Sequence, residues 1–113
     1  MIWEKSHCLT IKIYTITQSF SKQELYGLTS QMRRSAASVP TNIAEGCGRD
    51  SIPELKRFLT IASGSLAELH YQLILSNDLN YITPAIFEEL IDEATQIKKM
   101  LYTYSEKLLT NSF

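Results

Sequence analysis

The stretch TPAIFEELIDEATQIKKMLYTYSEKLL, from Thr83 to Leu109, decides the fold. Phe87, Leu90, Ala94, Ile97, Leu101, Tyr104 and Leu108 recur in it at alternating steps of three and four. Such steps keep apolar side chains on one stripe of a helix and make a sustained heptad seam. Thr83 offers an N-cap hydroxyl, and Pro84 suits a first helical turn, where its missing N–H has no partner to lose. The spacing predicts a helix over residues 84–109, with Glu88, Glu89, Asp92 and Glu93 on its solvated side.

Working back from that helix, Asn77-Asp78-Leu79-Asn80 is a stop, and before it Leu55, Leu59, Ala62, Leu66, Leu69 and Leu73 share one stripe. A helix over 52–77 follows. Phe58, Ile61, Ile74 and Leu75 widen its apolar surface beyond what one neighbouring helix covers. Ser51 and Glu54 form a capping box with Pro53 inside the first turn. The glycines Gly46 and Gly48 supply the permissive backbone for leaving the preceding helix.

That second helix is expected over 22–46, opened by a capping box of Ser21 and Glu24, with Leu25, Leu28, Met32, Ala36, Val39 and Ile43 on its stripe. The period continues across Pro40, so the proline should kink the helix and not end it. Ser35, Ala36 and Ala37 are small enough to tolerate the distortion or a close neighbour. Asn42 lies where its amide would satisfy a carbonyl freed by Pro40, and Glu45 precedes Arg49 by four residues in the favourable order for an ion pair. A first helix over 4–20 carries Leu9, Ile13, Ile16 and Phe20. Four amphipathic helices with short turns make an all-α, up-down-up-down antiparallel four-helix bundle the economical architecture, as a single domain over residues 1–113.

Composition bounds the function. Eleven Lys plus Arg against twelve Asp plus Glu give a net charge of -1, which excludes a general polyanion binder and leaves only a localised one. Arg33, Arg34, Arg49, Lys56 and Arg57 fall within residues 31–57, five bases against the three acids Glu45, Asp50 and Glu54. If the second and third helices are antiparallel, Arg49, Lys56 and Arg57 lie beside the start of the third, whose free amides favour anions. Two readings stand: contacts to nucleic-acid phosphates, or ion pairs with neighbouring acids and water.

The other chemistry-bearing residues carry less. Cys8 and Cys47 lack C-x-x-C spacing and are expected as reduced, mostly buried thiols. His7 and His70 are isolated, so no metal site is expected, and no cofactor. Gly64-Ser65 is not a strand-to-helix nucleophile elbow, and its small residues suit close helix packing. The six tyrosines are expected in the core and at interfaces, not as base-stacking platforms. A single carboxylate without a second acid or a base has little catalysis available, so no enzyme is expected. With no signal-peptide pattern and no apolar run of membrane-spanning length, the chain reads as cytoplasmic.

The run Tyr26-Gly27-Leu28-Thr29-Ser30-Gln31-Met32-Arg33-Arg34-Ser35-Ala36-Ala37-Ser38-Val39-Pro40-Thr41-Asn42-Ile43-Ala44-Glu45-Gly46-Cys47-Gly48-Arg49 resembles the hallmark of a bacterial family, the four helix bundle or 23S rRNA intervening-sequence proteins, once labelled ribosomal. Arg57 to Leu69 is similar to the second motif of that family, and Leu79-Asn80-Tyr81-Ile82 to its inter-helix turn, where glycine more often stands at the position of Asn80. Similar proteins include the accessory variability determinant of diversity-generating retroelements, a basic pentameric barrel. The resemblance implies a homopentamer without enzymatic activity, with nucleic acid, RNA or DNA, or a reverse-transcriptase-like protein as partner. Pro40, Asn42, Glu45, Gly46 and Gly48 belong to the first motif, in which a structural role is expected of them. The charge of -1 departs from the basic relative. A protein–protein scaffold without nucleic-acid contact is the alternative.

Overall fold

A computed structural model of the chain describes residues 1–111. Its elements are α1 (Ile2–Thr17), a short 3-10 turn (Lys22–Glu24), α2 (Leu28–Cys47), α3 (Ile52–Asp78) and α4 (Pro84–Asn111), with no strand among the described residues. Each helix packs on the next in sequence and α4 closes back on α1, while among the described residues neither diagonal pair brings its Cα atoms within 8 Å. This is the up-down-up-down bundle, 49 Å long and 24 by 19 Å across.

The heptad stripes become the core. Leu9 and Ile13 of α1, Met32, Ala36, Val39 and Ile43 of α2, Leu59, Ala62, Leu66, Leu69 and Leu73 of α3, and Leu90, Ala94, Ile97 and Leu101 of α4 are buried against one another. Phe87, Tyr104 and Leu108 lie half-buried at the two ends of the α4 seam. Burying such side chains contributes about 1.5–3 kcal/mol each, the main force holding the bundle. Ile61 and Ile74 remain exposed, so α3 does carry apolar surface beyond its intrachain partners.

The start of α2 corrects the sequence reading. Ser21 accepts a hydrogen bond from the Gln23 amide at 3.3 Å and caps only the 3-10 turn. Helix α2 begins six residues later than expected, after Gly27, and Leu25 is exposed instead of on its seam. Glycine has no side chain to cap with. The Glu24 carboxylate takes over, accepting from the Leu28 amide at 3.3 Å through one oxygen and from the Tyr81 hydroxyl at 2.9 Å through the other. Glu24 thereby ties the α1–α2 connection to the α3–α4 turn. The other two caps form as expected: Ser51 accepts from Glu54 N at 3.3 Å and Thr83 from Ile86 N at 3.2 Å.

The glycines also sort differently. Gly48 ends α2 at φ -87°, a conformation open to any residue, so it is not needed for leaving the helix. Gly46 is needed for close approach: a Cβ there would lie 3.0 Å from Leu55 Cδ1 and Phe58 Cβ, across the α2–α3 seam. Gly64 is exposed with nothing within 4 Å of its would-be Cβ, so it permits no packing within the chain; its neighbour Ser65 does, meeting Ser38 at 2.8 Å. The residue that requires a left-handed backbone is Asn80, at φ 61°. It closes α3 in a Schellman arrangement, with Tyr81 N donating to Ser76 O at 2.9 Å and Asn80 N to Asn77 O at 3.1 Å.

Pro40 sits within a continuous α2. The carbonyl it deprives of a helical donor is that of Ala36, four residues back. Thr10 of α1 supplies the replacement, its hydroxyl shared between Ala36 O at 3.1 Å and Ser6 O at 2.8 Å. Asn42 does not fill that role; its amide donates to Ser38 O at 2.8 Å and Ser38 Oγ at 2.9 Å. An amide at position 42 is one turn from Ser38 but faces away from the α1 side.

Candidate nucleic-acid interface

The five basic residues singled out by the sequence do not converge. Arg33 is committed to α1: Nε donates to Thr17 Oγ1 at 2.8 Å, Nη2 to Tyr14 O at 3.3 Å, and the guanidinium lies 4.9 Å from the Tyr14 ring centre. It staples α2 to α1, with two of its five donors committed to that helix. Arg34, one residue on and turned about 100° around the helix, faces the opposite seam, towards α3. The end of α2 is about 20 Å further along its axis.

Arg49 and Arg57 do come together near the α2–α3 turn, and Lys56 neighbours Arg57 in sequence. The Arg49 and Arg57 guanidinium groups lie 4.8 Å and 5.5 Å from the centre of the Phe58 ring. Arg49 also pairs with Glu45 at 3.3 Å and Arg57 with Glu54 at 3.7 Å, one helical turn away in each case. The Arg49–Glu45 pair is well exposed, and ion pairs of this kind contribute about 0–1 kcal/mol, so a competing anion displaces it readily; the Glu54 Oε2 that meets Arg57 is itself out of contact with solvent. Lys56 has no partner among the described residues. Glu45, Asp50 and Glu54 balance the three bases in number, so the turn is a local array of cations and not a basic field.

Of the motif residues, Asn42, Ser38 and Ser65 form a hydrogen-bonded chain across the α2–α3 seam, Glu45 holds Arg49, and Gly46 lets the helices approach. On α4 the acidic run is partly paired within the chain: Lys12 of α1 bridges Glu93 at 2.7 Å and Glu89 at 3.5 Å. The hydrogen bond that Lys12 donates to Glu93 raises the Lys12 pKa. Cys8 and Cys47 are both free and exposed, against the expectation of burial, because their positions fall outside the apolar stripes of α1 and α2. His7 stacks on Trp3 with ring centres 5.0 Å apart. No group of His, Cys, Asp or Glu among the described residues has the geometry to hold a metal ion. Tyr14, Tyr26, Tyr71 and Tyr102 are exposed, so most tyrosines stand outside the core of the single chain. No helix among the described residues is long and apolar enough to cross a membrane.

A feature that sequence spacing did not single out lies along the same seam. Gln31, Arg34, Ser35 and Ser38 of α2 and Ser65, Glu68 and Gln72 of α3 line a polar cleft of about 470 Å³. Its signal was present in hindsight as hydrophilic residues at three successive facing levels of two helices that are otherwise apolar towards each other.

Residues 1–103 match the family model of the 23S rRNA-intervening sequence protein, and the chain belongs to that family. It is similar to a crystal structure of a protein of unknown function from the S23 ribosomal protein family of Bacteroides thetaiotaomicron, with 26% identity over 93% of this chain and 98% of that one and a TM-score of 0.84. No curated protein matches the chain.

Proposed function

We propose that the protein is a non-catalytic helical module that assembles with copies of itself and binds RNA through the α2–α3 turn. The observation that carries this reading is the convergence of Arg49 and Arg57 on the Phe58 ring in the second turn of α3, with Lys56 beside Arg57 in sequence and Arg49 held only by a weak surface pair. Exposed backbone amides at the start of α3 add to the attraction for phosphate. Self-assembly, as a homopentamer, would repeat the array and offset the modest charge of one chain. Ile61, Tyr71 and Ile74 on α3 and Tyr102 on α4 are the exposed apolar residues that such an assembly would cover. The family name associates these proteins with ribosomal RNA.

The test is the salt dependence of RNA affinity for the wild type and for the combined Arg49→Ala, Lys56→Ala, Arg57→Ala variant. Each phosphate contact removed reduces the slope of log K against log salt by about 0.7–0.9. A wild-type affinity that stays flat with salt overturns the reading. Native mass measurement checks the assembly independently.

The second reading, a protein–protein scaffold without nucleic-acid contact, is favoured by one observation: Arg49 and Arg57 already have acids of their own chain. Under it the triple variant leaves a partner complex intact.

A further inference from the structure

We propose that the polar cleft between α2 and α3 is a pocket for one unstacked guanine base. The proposal deepens the RNA-binding reading and rests on it only for the source of the base.

A cleft of about 470 Å³ falls in the size range of small-molecule pockets. Its wall holds an unusual amount of unspent hydrogen-bonding capacity. Gln72 is 7% exposed, yet its Oε1 has no hydrogen-bond partner among the described residues. A buried acceptor left without a donor is costly, and such groups are rare in folded proteins unless a ligand or solvent molecule completes them. Arg34 is exposed with all five donors unused. Glu68 receives only a long hydrogen bond, 3.5 Å, from Ser35. Arg34 and Glu68 line the same cleft from opposite helices without forming an ion pair.

A cation and an anion kept apart on facing walls, with a buried carbonyl below them, suit a ligand that carries donors on one edge and acceptors on another. Guanine does. Its N1–H and N2–H₂ groups stand side by side and match the two oxygens of a carboxylate, its O6 and N7 accept from an arginine fork, and a second N2 hydrogen remains for the Gln72 carbonyl. Adenine presents acceptors beside its single amino group, so one of them would face Glu68. Hypoxanthine lacks the second donor group. RNA sequence is read in this way, on bases freed from stacking. Arg34 then serves a base and the α2–α3 turn serves the backbone, which accounts for the separation of the two along α2.

The test titrates the full-length protein with guanosine, inosine and adenosine 5′-monophosphates, following the side-chain signals of Gln72 and Arg34 by NMR. The guanosine nucleotide should bind about tenfold or more tightly than the other two and shift the Gln72 amide. Glu68→Gln should erase that preference, Arg34→Gln should weaken the guanosine nucleotide, and Lys99→Ala, beside Ile2 and outside the cleft, should change neither. Equal affinity for the three nucleotides, or shifts confined to the turn, overturns the pocket. RNA bound with a normal salt slope but no guanine preference sinks the pocket and leaves the RNA reading standing. Guanine selectivity without any affinity for RNA sinks the turn reading and leaves the pocket.

Discussion

The hydroxyl of Thr10 in α1 donates to the carbonyl of Ala36 in α2, the acceptor that Pro40 leaves without its helical partner. A proline in mid-helix is thus completed by a neighbouring helix. Thr10 and Ala36 are both buried, so water is excluded from the exchange. Replacing Thr10 by the isosteric Val should cost about 1–3 kcal/mol, the range for orphaning a buried polar group. The cost should shrink when Pro40→Ala restores the amide donor of α2. Urea unfolding of the four proteins in that double-mutant cycle checks the coupling, and full additivity would refute it.

Gly46 and Gly64 should respond in opposite directions to the same substitution. Gly46→Ala drives a methyl to 3.0 Å from Leu55 and Phe58 and should destabilise by about 1–3 kcal/mol. Gly64→Ala enters open space on an exposed helix face and should stabilise by about 0.5–1 kcal/mol through backbone entropy. Thermal unfolding at low protein concentration, where assembly does not contribute, gives both signs.

At φ 61° Asn80 occupies a conformation that glycine adopts without penalty. Asn80→Gly should gain about 0.5–1 kcal/mol, while a β-branched residue there should lose more than that. The measurement is the urea midpoint, with the slope unchanged.

The Tyr81 hydroxyl donates to Glu24, and this hydrogen bond raises the Tyr81 pKa above its usual value near 10. A raised pKa in the folded state contributes stability that is fully present below the unfolded value and is lost as pH rises through the folded one. Stability should therefore fall above about pH 10, and the fall should be shallower in Tyr81→Phe. Lys12, whose pKa is also raised, titrates in the same direction, so Lys12→Met is the companion variant. An unchanged alkaline limb in Tyr81→Phe would remove the Glu24 contact from the account.

Arg33→Ala should act on the fold and not on a ligand. Losing the Thr17 and Tyr14 contacts should cost about 1–2 kcal/mol of stability, whereas RNA affinity and its salt slope should match the wild type. A selective loss of RNA affinity at full stability would return Arg33 to the interface.

The helices were legible because burial repeats at a period that local geometry imposes. Every residue of the α4 seam from Leu90 to Leu101 is buried where its step of three or four places it. The same logic failed at Leu25, since a capping box announces that some helical turn begins without saying whether it is 3-10 or α, and Gly27 then interrupts it. Gly46 and Gly48 look alike in sequence. One meets α3 at van der Waals distance and the other meets nothing that demands glycine, a difference that belongs to the neighbouring helix.

For the candidate site the division is sharper. Sequence by itself determined that four amphipathic segments form an antiparallel bundle, that Pro40 lies inside one of them, and that bases gather near the second turn, because each of these depends on residues a few positions apart. Only the tertiary structure decided that Arg33 is spent on Tyr14 and Thr17, that Arg49 and Arg57 flank Phe58, and that Arg34, Glu68 and Gln72 share one cleft. The reason is physical: the direction of a side chain around a helix is local, but its partner is set by the register of a second helix, and residues 34 and 72 acquire that register only when the apolar seams lock.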